Sequence, residues 1–261
     1  MGQCFLKDPR FIARIVESLA PTPGETLLEI GAGAGQLTFP MMDAGARVLA
    51  IEADPQLARR LTHKTGDALE LIEADAAKVD FDQLLQEREL ERVRAYGNLP
   101  YSVAAPILLR LLSYAPRFDS LTLMFQKEVA ERLIARPSTK DYSVLSVIAQ
   151  QAAHPQILFR LPPDAFRPRP RVVSSLVRLE LRHAESPHFG NETTFRSVVK
   201  ALLAHRRKTI ANNIKHLGPS VLSRDVLAHS LATLEIDPTR RAETLSVEEF
   251  AEISRICTSK T

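Results

Sequence analysis

Asn98-Leu99-Pro100-Tyr101 is the stretch of this 261-residue chain best suited to chemistry on a nucleobase. The exocyclic amine of adenine is a poor nucleophile, because its lone pair is delocalised into the ring. Two fixed oxygens, the Asn98 side-chain carbonyl and the Leu99 backbone carbonyl, can accept its N–H hydrogens and let electron density develop toward an electrophile held in line. No strong general base is required. Pro100 stiffens the turn, and Tyr101 offers a flat face on which a base can stack. The same four residues can also make a plain turn with a packed Tyr, so their place in the fold decides their meaning.

A second constellation precedes them. Glu29-Ile30-Gly31-Ala32-Gly33-Ala34-Gly35 follows an apolar run and leads into a helical pattern, and its small residues allow a close approach of backbone to ligand. A dinucleotide-binding turn needs a third glycine where this chain has Gln36, so the loop suits a nucleoside carrying an amino-acid moiety better than a pyrophosphate. Glu52 lies about 20 residues after the turn, where a carboxylate can accept two ribose hydroxyls. Asp75 can accept the adenine amine, and the Ala76 amide can bond to a ring nitrogen. Each acid taken alone reads better as a solvated strand end. Three such features at successive strand ends favour a nucleoside cofactor, because open α/β sheets bind ligands at that edge.

The elements that must hold these residues follow from hydrophobic periodicity. Apolar runs predict strands at 26–30, 47–52, 69–73, 93–97 and 121–126, with helices near 9–20, 36–44, 55–63, 103–113 and 127–135. The alternation implies right-handed crossovers and a mostly parallel sheet. Two further runs, 156–161 and 174–181, are joined by a Pro-rich segment too short for a helix and read as an antiparallel pair at or near the sheet edge. Beyond Leu181 only helical periodicity appears, at 192–204, 206–217, 221–231 and 247–257. The expected organisation is a cofactor-binding catalytic domain over 1–183 and a small all-helical domain over 184–261.

These residues resemble a family. Gly2-Gln3-x-Phe5-Leu6, Glu29-Ile30-Gly31-x-Gly33, Gly97-Asn98-Leu99-Pro100-Tyr101, Gln126-Lys127-Glu128-Val129, Pro162-Pro163-x-x-Phe166-x-Pro168-x-Pro170, Arg206-Arg207-Lys208-Thr209 and Ile236-Asp237-Pro238-x-x-Arg241-x-Glu243 span nearly the whole chain. Together they are similar to the bacterial rRNA adenine N6,N6-dimethyltransferases, most closely the small-subunit, kasugamycin-resistance group. The resemblance implies an α/β class I methyltransferase fold with a Rossmann-like seven-stranded sheet, S-adenosylmethionine as cofactor, and two adjacent adenosines near the 3′ end of 16S rRNA as substrate, methylated late in subunit biogenesis within a pre-30S particle. It implies cofactor contacts at Cys4, Leu6, Gly31, Glu52, Asp75 and Asn98, to which the turn and the third strand end add Gly33 and Ala76. Phe166 corresponds to an aromatic that, with Tyr101, holds a flipped-out adenine. Cys4 departs from the family, which usually has Asn or His there, and a thiol is the weaker hydrogen-bond donor.

Net charge is +3, an uninformative average. From Arg160 to Lys215 there are twelve Lys and Arg against four Asp and Glu, a net +8, which leaves −5 for the remainder. Arg167 and Arg169 interleave with prolines beside Phe166, and Arg206, Arg207 and Lys208 stand at the expected opening of a C-terminal helix. Phosphates of folded RNA are their natural partners. With two cysteines and scattered histidines no metal site is assigned. No signal peptide or apolar run of membrane length is found, so a cytoplasmic monomer without a membrane partner is expected. A ribosome-assembly factor with weak or lost catalysis is the alternative, hinted at by Cys4 alone. An NAD-dependent oxidoreductase is disfavoured by Gln36.

Overall fold

The structure, a computed structural model, describes residues 4–62, 67–183, 187–215 and 223–259. The chain divides into two compact units. The described residues up to Ala130, with His154–Leu181, make up the first, and Glu131–Ala153 with the described residues from Arg182 onward make up the second. The helical part expected from residue 184 therefore also contains a segment, 131–153, that precedes it in sequence.

In chain order the first unit contains β1 (Phe5–Leu6), α1 (Pro9–Leu19), β2 (Thr26–Ile30), α2 (Thr38–Asp43), β3 (Arg47–Glu52), α3 (Pro55–Thr62), β4 (Leu69–Glu73) and α4 (Phe81–Gln86). There follow β5 (Val93–Gly97), α5 (Tyr101–Leu112), β6 (Phe118–Gln126) and the first turn of α6 (Lys127–Leu133). After α7 (Val144–Ala152), which belongs to the second unit, come β7 (Ala153–Leu161), β8 (Phe166–Arg167) and β9 (Ser174–Leu181). Seven strands form one sheet in the order β4-β3-β2-β5-β6-β9-β7. The β2–β3, β3–β4, β2–β5 and β5–β6 pairs are parallel, and β9 runs antiparallel to β6.

The expected strands recur with small changes of boundary. β2 and β3 are buried at every position but the first, and β5 at all but Arg94, which is what a parallel sheet covered on both faces requires. Charge–polar contacts set the ends of these strands. Arg94 on β5 donates from Nε and Nη2 to the two carboxylate oxygens of Glu25, each at 2.6 Å, and from Nη1 to the Leu19 carbonyl at 2.6 Å. This bidentate clamp ties the end of α1 and the start of β2 to β5. Parallel pairing places the carboxyl ends of β2, β3, β4 and β5 along one edge, with Ile30 opposite Ile51 and Glu52 opposite Glu73.

Two short strands had no periodic signal. β1 pairs antiparallel with β8, with Phe5 opposite Arg167 and Leu6 opposite Phe166, in a separate two-stranded sheet. The Lys7 amide extends the contact by donating to the Ala165 carbonyl at 2.8 Å.

The second unit contains α7, α8 (Glu192–Leu203), α9 (Ile210–Lys215), α10 (Arg224–Thr233) and α11 (Val247–Thr258) among its described residues. Phe195, Val198, Val199 and Leu202 of α8 and Phe250 and Ile253 of α11 are buried. Fully buried Tyr142 donates its hydroxyl to the Leu245 carbonyl at 3.0 Å. The helix expected to open at Arg206 begins instead at Ile210, and its expected end at Leu217 lies outside the described residues. Residues 204–208 form turns because nearby groups satisfy their backbone locally. Asn213 accepts from the His205 amide on Oδ1 and donates from Nδ2 to the His205 carbonyl, both at 3.2 Å, and Lys208 N–H bonds to the same carbonyl at 2.8 Å.

Candidate active site

The glycine turn between β2 and α2 runs at positive φ at Gly31, Gly33 and Gly35, and its shape is held from beneath by a carboxylate. Glu52, at the end of β3 and almost fully buried, accepts the Gly33 amide on Oε2 at 2.7 Å and the Asp54 amide on Oε1 at 2.9 Å. Each oxygen keeps a second lone-pair site, so the residue can steady the loop and still accept hydroxyl donors.

Glu29 lies under the same loop. Its Oε2 accepts the Thr38 hydroxyl at 2.6 Å and the Tyr96 hydroxyl at 3.1 Å, a contact prepared by the register that sets Glu29 opposite Tyr96. Burial pushes its carboxyl up to about 8, against the two hydroxyl donors and reinforced by the negative charge of Glu52.

Asn98 stands where β5 gives way to α5. The preceding Gly97 has no substitute, because a Cβ there would lie 2.4 Å from the Ile30 carbonyl oxygen. The Asn98 side chain donates from Nδ2 to the Cys4 backbone carbonyl at 3.1 Å. A carbonyl can only accept, so this contact fixes which end of the amide meets Cys4 and leaves Oδ1 as the remaining acceptor. Leu99 is buried, and its Cδ2 would lie 3.2 Å from a Cβ at Gly31, so the Asn98 turn packs directly on the glycine loop.

Cys4, Phe5, Leu6, Glu29, Gly31, Ala32, Gly33, Gln36, Leu37 and Asn98 line one pocket. Five of the eight residues expected to contact a cofactor are thus brought together: Cys4, Leu6, Gly31, Gly33 and Asn98. Glu52 joins them through Gly33. Asp75 is exposed just beyond β4 and accepts the Ala77 amide at 3.0 Å, while Ala76 is buried, so both lie farther along the same sheet edge. Phe5, Gln36 and Leu37 were not singled out as contacts. Phe5 had a signal, since it lies between Cys4 and Leu6 and its ring would be 3.3 Å from a Cβ at Gly33.

Cys4 enters this arrangement through its backbone carbonyl, which any residue would supply. Burial raises its thiol pKa, so the side chain is a neutral thiol. The Cys-for-Asn departure thus leaves the Asn98 contact untouched.

The aromatic pair differs from expectation. Tyr101 is half-buried, with its hydroxyl bonded to Ser174 Oγ. Phe166 is 2% exposed, because its pairing with Leu6 seats it in the core beside Leu161, Ala165 and Leu176. Tyr101 is the accessible ring, and Phe166 backs the N-terminal strand.

The expected RNA-contacting cations also separate. Arg167, Arg169, Arg207 and Lys208 are exposed. Arg206 instead turns into the helical unit, where it donates to the carbonyls of Lys140 and, at 3.2 Å, Tyr142, and lies 3.9 Å from the Glu243 carboxylate. Among the described residues no group of three or more His, Cys, Asp or Glu is arranged to hold a metal ion, and no helix is long and apolar enough to cross a membrane.

Similarity to known proteins agrees with this architecture. The family model described as ribosomal RNA adenine dimethylase matches residues 1–259. Ribosomal RNA small subunit methyltransferase A of Idiomarina loihiensis is 41% identical over 256 residues, covering 97% of this chain and 85% of that protein. The protein of the same name from Proteus mirabilis is 39% identical over 262 residues, covering 99% and 93%. In fold, the chain resembles the crystal structure of a dimethyladenosine transferase from Plasmodium falciparum, with a TM-score of 0.76 at 23% identity over 95% of both chains. A 23S rRNA methyltransferase gives a TM-score of 0.66 at 24% identity, covering 97% of this chain and 99% of that one. With its class I methyltransferase sheet and the match along nearly its full length, the chain belongs to the ribosomal RNA adenine dimethylase family.

Proposed function

We propose that the protein dimethylates N6 of two adjacent adenosines near the 3′ end of 16S rRNA, using S-adenosylmethionine, and acts as a cytoplasmic monomer on a pre-30S particle. The observation that carries this reading is the Asn98 amide, which lines one pocket with the glycine turn and whose Nδ2 is committed to the Cys4 carbonyl, so that its Oδ1 is left as the acceptor.

The residues present suit that cofactor. Positive-φ glycines allow close backbone approach, Glu52 retains acceptor sites for ribose hydroxyls, and Asp75 with Ala76 lies along the edge where adenine would sit. When bound, the cofactor supplies an electrophilic methyl group on a sulfonium. Asn98 Oδ1 and the Leu99 carbonyl accept the two N6 hydrogens of the target adenine, holding the nitrogen lone pair toward that methyl. Tyr101 stacks on the base, its ring orientation set by Ser174. Phe166 contributes from behind the β1–β8 pair, and a role against the second face of the base requires its ring to be uncovered. Arg167, Arg169, Arg207 and Lys208 contact RNA phosphates. A monomethylated amine keeps one N–H, so the second transfer uses one of the two acceptors.

The test is mass spectrometry of undermethylated small subunits treated with the purified protein and S-adenosylmethionine. The expected product is N6,N6-dimethyladenosine at two neighbouring positions. Cofactor binding without any methylated adenosine would favour an assembly role and refute this reading.

A further inference from the structure

The two-stranded β1–β8 sheet does more than carry Leu6 to the pocket. It brings Lys7, from the first few residues of the chain, beside Arg167 and Arg169, about 160 residues later. The residues Lys7, Asp164, Phe166, Arg167, Pro168 and Arg169 line an open cleft of about 670 Å³. Lys7 and Arg167 are exposed, and neither side chain has a hydrogen bond or ion pair with another described residue. Arg169 pairs with Asp164 Oδ1 at 2.9 Å, with the two side chains 67% and 73% exposed. Three cations against one carboxylate leave the cleft with a local charge of +2. Backbone pairing holds these like charges together, although Asp164 offsets only one of the three, and an ion pair this exposed is weak.

We propose that this cleft is a binding site for one backbone phosphate of the RNA strand that carries the target adenosine, with Asp164 competing for Arg169 until the phosphate displaces it. The inference builds on the function proposed above. A phosphodiester suits the donors: Lys7 acts as a compact point charge, and a guanidinium fork can grip two oxygens at once. Position argues for the strand and against an unrelated anion. Lys7 directly follows Leu6, which lines the glycine-turn pocket, so a phosphate held here is registered against the nucleotide entering the site. Phosphate contacts of this type set register, leaving selection to the base itself.

Binding of an RNA fragment containing the two adenosines, measured against salt concentration, tests the proposal. For each of Lys7→Ala and Arg167→Ala, the affinity should fall several-fold and the slope of log K against log salt should become shallower by about 0.7. Asp164→Asn should tighten binding. Arg47→Ala, at the amino end of β3, removes another exposed cation and should change neither quantity. Calorimetric affinity for S-adenosylmethionine should stay at the parent value in all four variants. Unchanged slopes for Lys7→Ala and Arg167→Ala, or equal changes for Arg47→Ala, overturn the site. Inorganic phosphate or adenosine monophosphate binding as tightly as the RNA fragment would identify a free-anion site and overturn the strand assignment. A parent protein that methylates small subunits while these variants bind RNA normally refutes this inference, together with the phosphate contact assigned to Arg167, and leaves the proposed reaction standing. A parent that neither binds RNA nor methylates it refutes the proposed function as well.

Discussion

The Asn98 side chain donates to the backbone carbonyl of Cys4 at 3.1 Å across 94 residues of sequence, joining the reactive turn to the N-terminal strand. The orientation of the Asn98 amide is thereby decided by a main-chain atom. Replacing Asn98 by Ala removes the acceptor together with the tether, and methyl transfer should fall by a factor on the order of 10² to 10³. Cofactor affinity should change far less, because the glycine turn and Glu52 are untouched. Incorporation of labelled methyl groups into undermethylated subunits, measured beside calorimetry, separates the two effects. Cys4→Ala, which keeps the carbonyl, should retain activity within about threefold.

Glu29 makes stability depend on pH. Its folded-state pKa of about 8 lies above the ordinary value of 4.5, so the folded chain holds a proton that the unfolded chain releases. The contribution is fully present below about pH 4.5 and is lost progressively as pH rises toward 8, amounting to on the order of 2 to 4 kcal/mol over that window. Chemical denaturation of the parent and of Glu29→Gln at pH 5 and pH 8 checks this. The difference in stability between the two proteins should shift with pH in favour of the Gln variant at pH 8.

At Gly97 the constraint is steric. A methyl group 2.4 Å from the Ile30 oxygen must push β5 from β2, so Gly97→Ala should cost about 1 to 3 kcal/mol and displace Asn98. Thermal unfolding should report the first effect, and loss of methyl transfer in the surviving folded protein the second.

Tyr101 combines a ring and a hydroxyl with separable duties. Tyr101→Phe loses the bond to Ser174 but keeps the stacking face, whereas Tyr101→Ala loses both. Stacking of a base on an aromatic ring is worth about 1 to 3 kcal/mol, so the Ala variant should raise KM for RNA substantially more than the Phe variant. Equal KM values for the two variants would remove stacking from the reading.

Arg206 and its neighbours should part company. Arg206→Ala breaks contacts to the Lys140 and Tyr142 carbonyls and should destabilise the helical unit by about 1 to 3 kcal/mol. Arg207→Ala and Lys208→Ala should leave the unfolding midpoint unchanged and make the salt dependence of RNA binding shallower. Denaturation curves and salt titrations on the three variants distinguish these outcomes.

Much of this protein was legible from local order along the chain. Short apolar-rich runs at regular spacing let β2, β3, β4 and β5 be located to the residue, and with them the strand ends that carry Glu29, Glu52, Asp75 and Asn98. The small residues from 31 to 35 likewise announced a close-approach turn into a helix, and the structure runs its three glycines at positive φ. What periodicity cannot carry is pairing between remote segments. β1 and β8 are two residues each, too short for an alternating pattern, yet their pairing buries Phe166, sets Lys7 beside Arg167 and brings the Cys4 carbonyl to Asn98. Arg206 and Arg207 are adjacent and chemically identical in the sequence. Only the loop at 140–142, packed within the same helical unit, offers the carbonyls that turn one of them inward and leave the other to solvent. Side-chain chemistry and element positions are local properties of the chain, whereas the direction a donor points and the partner it meets depend on which distant backbone arrives beside it.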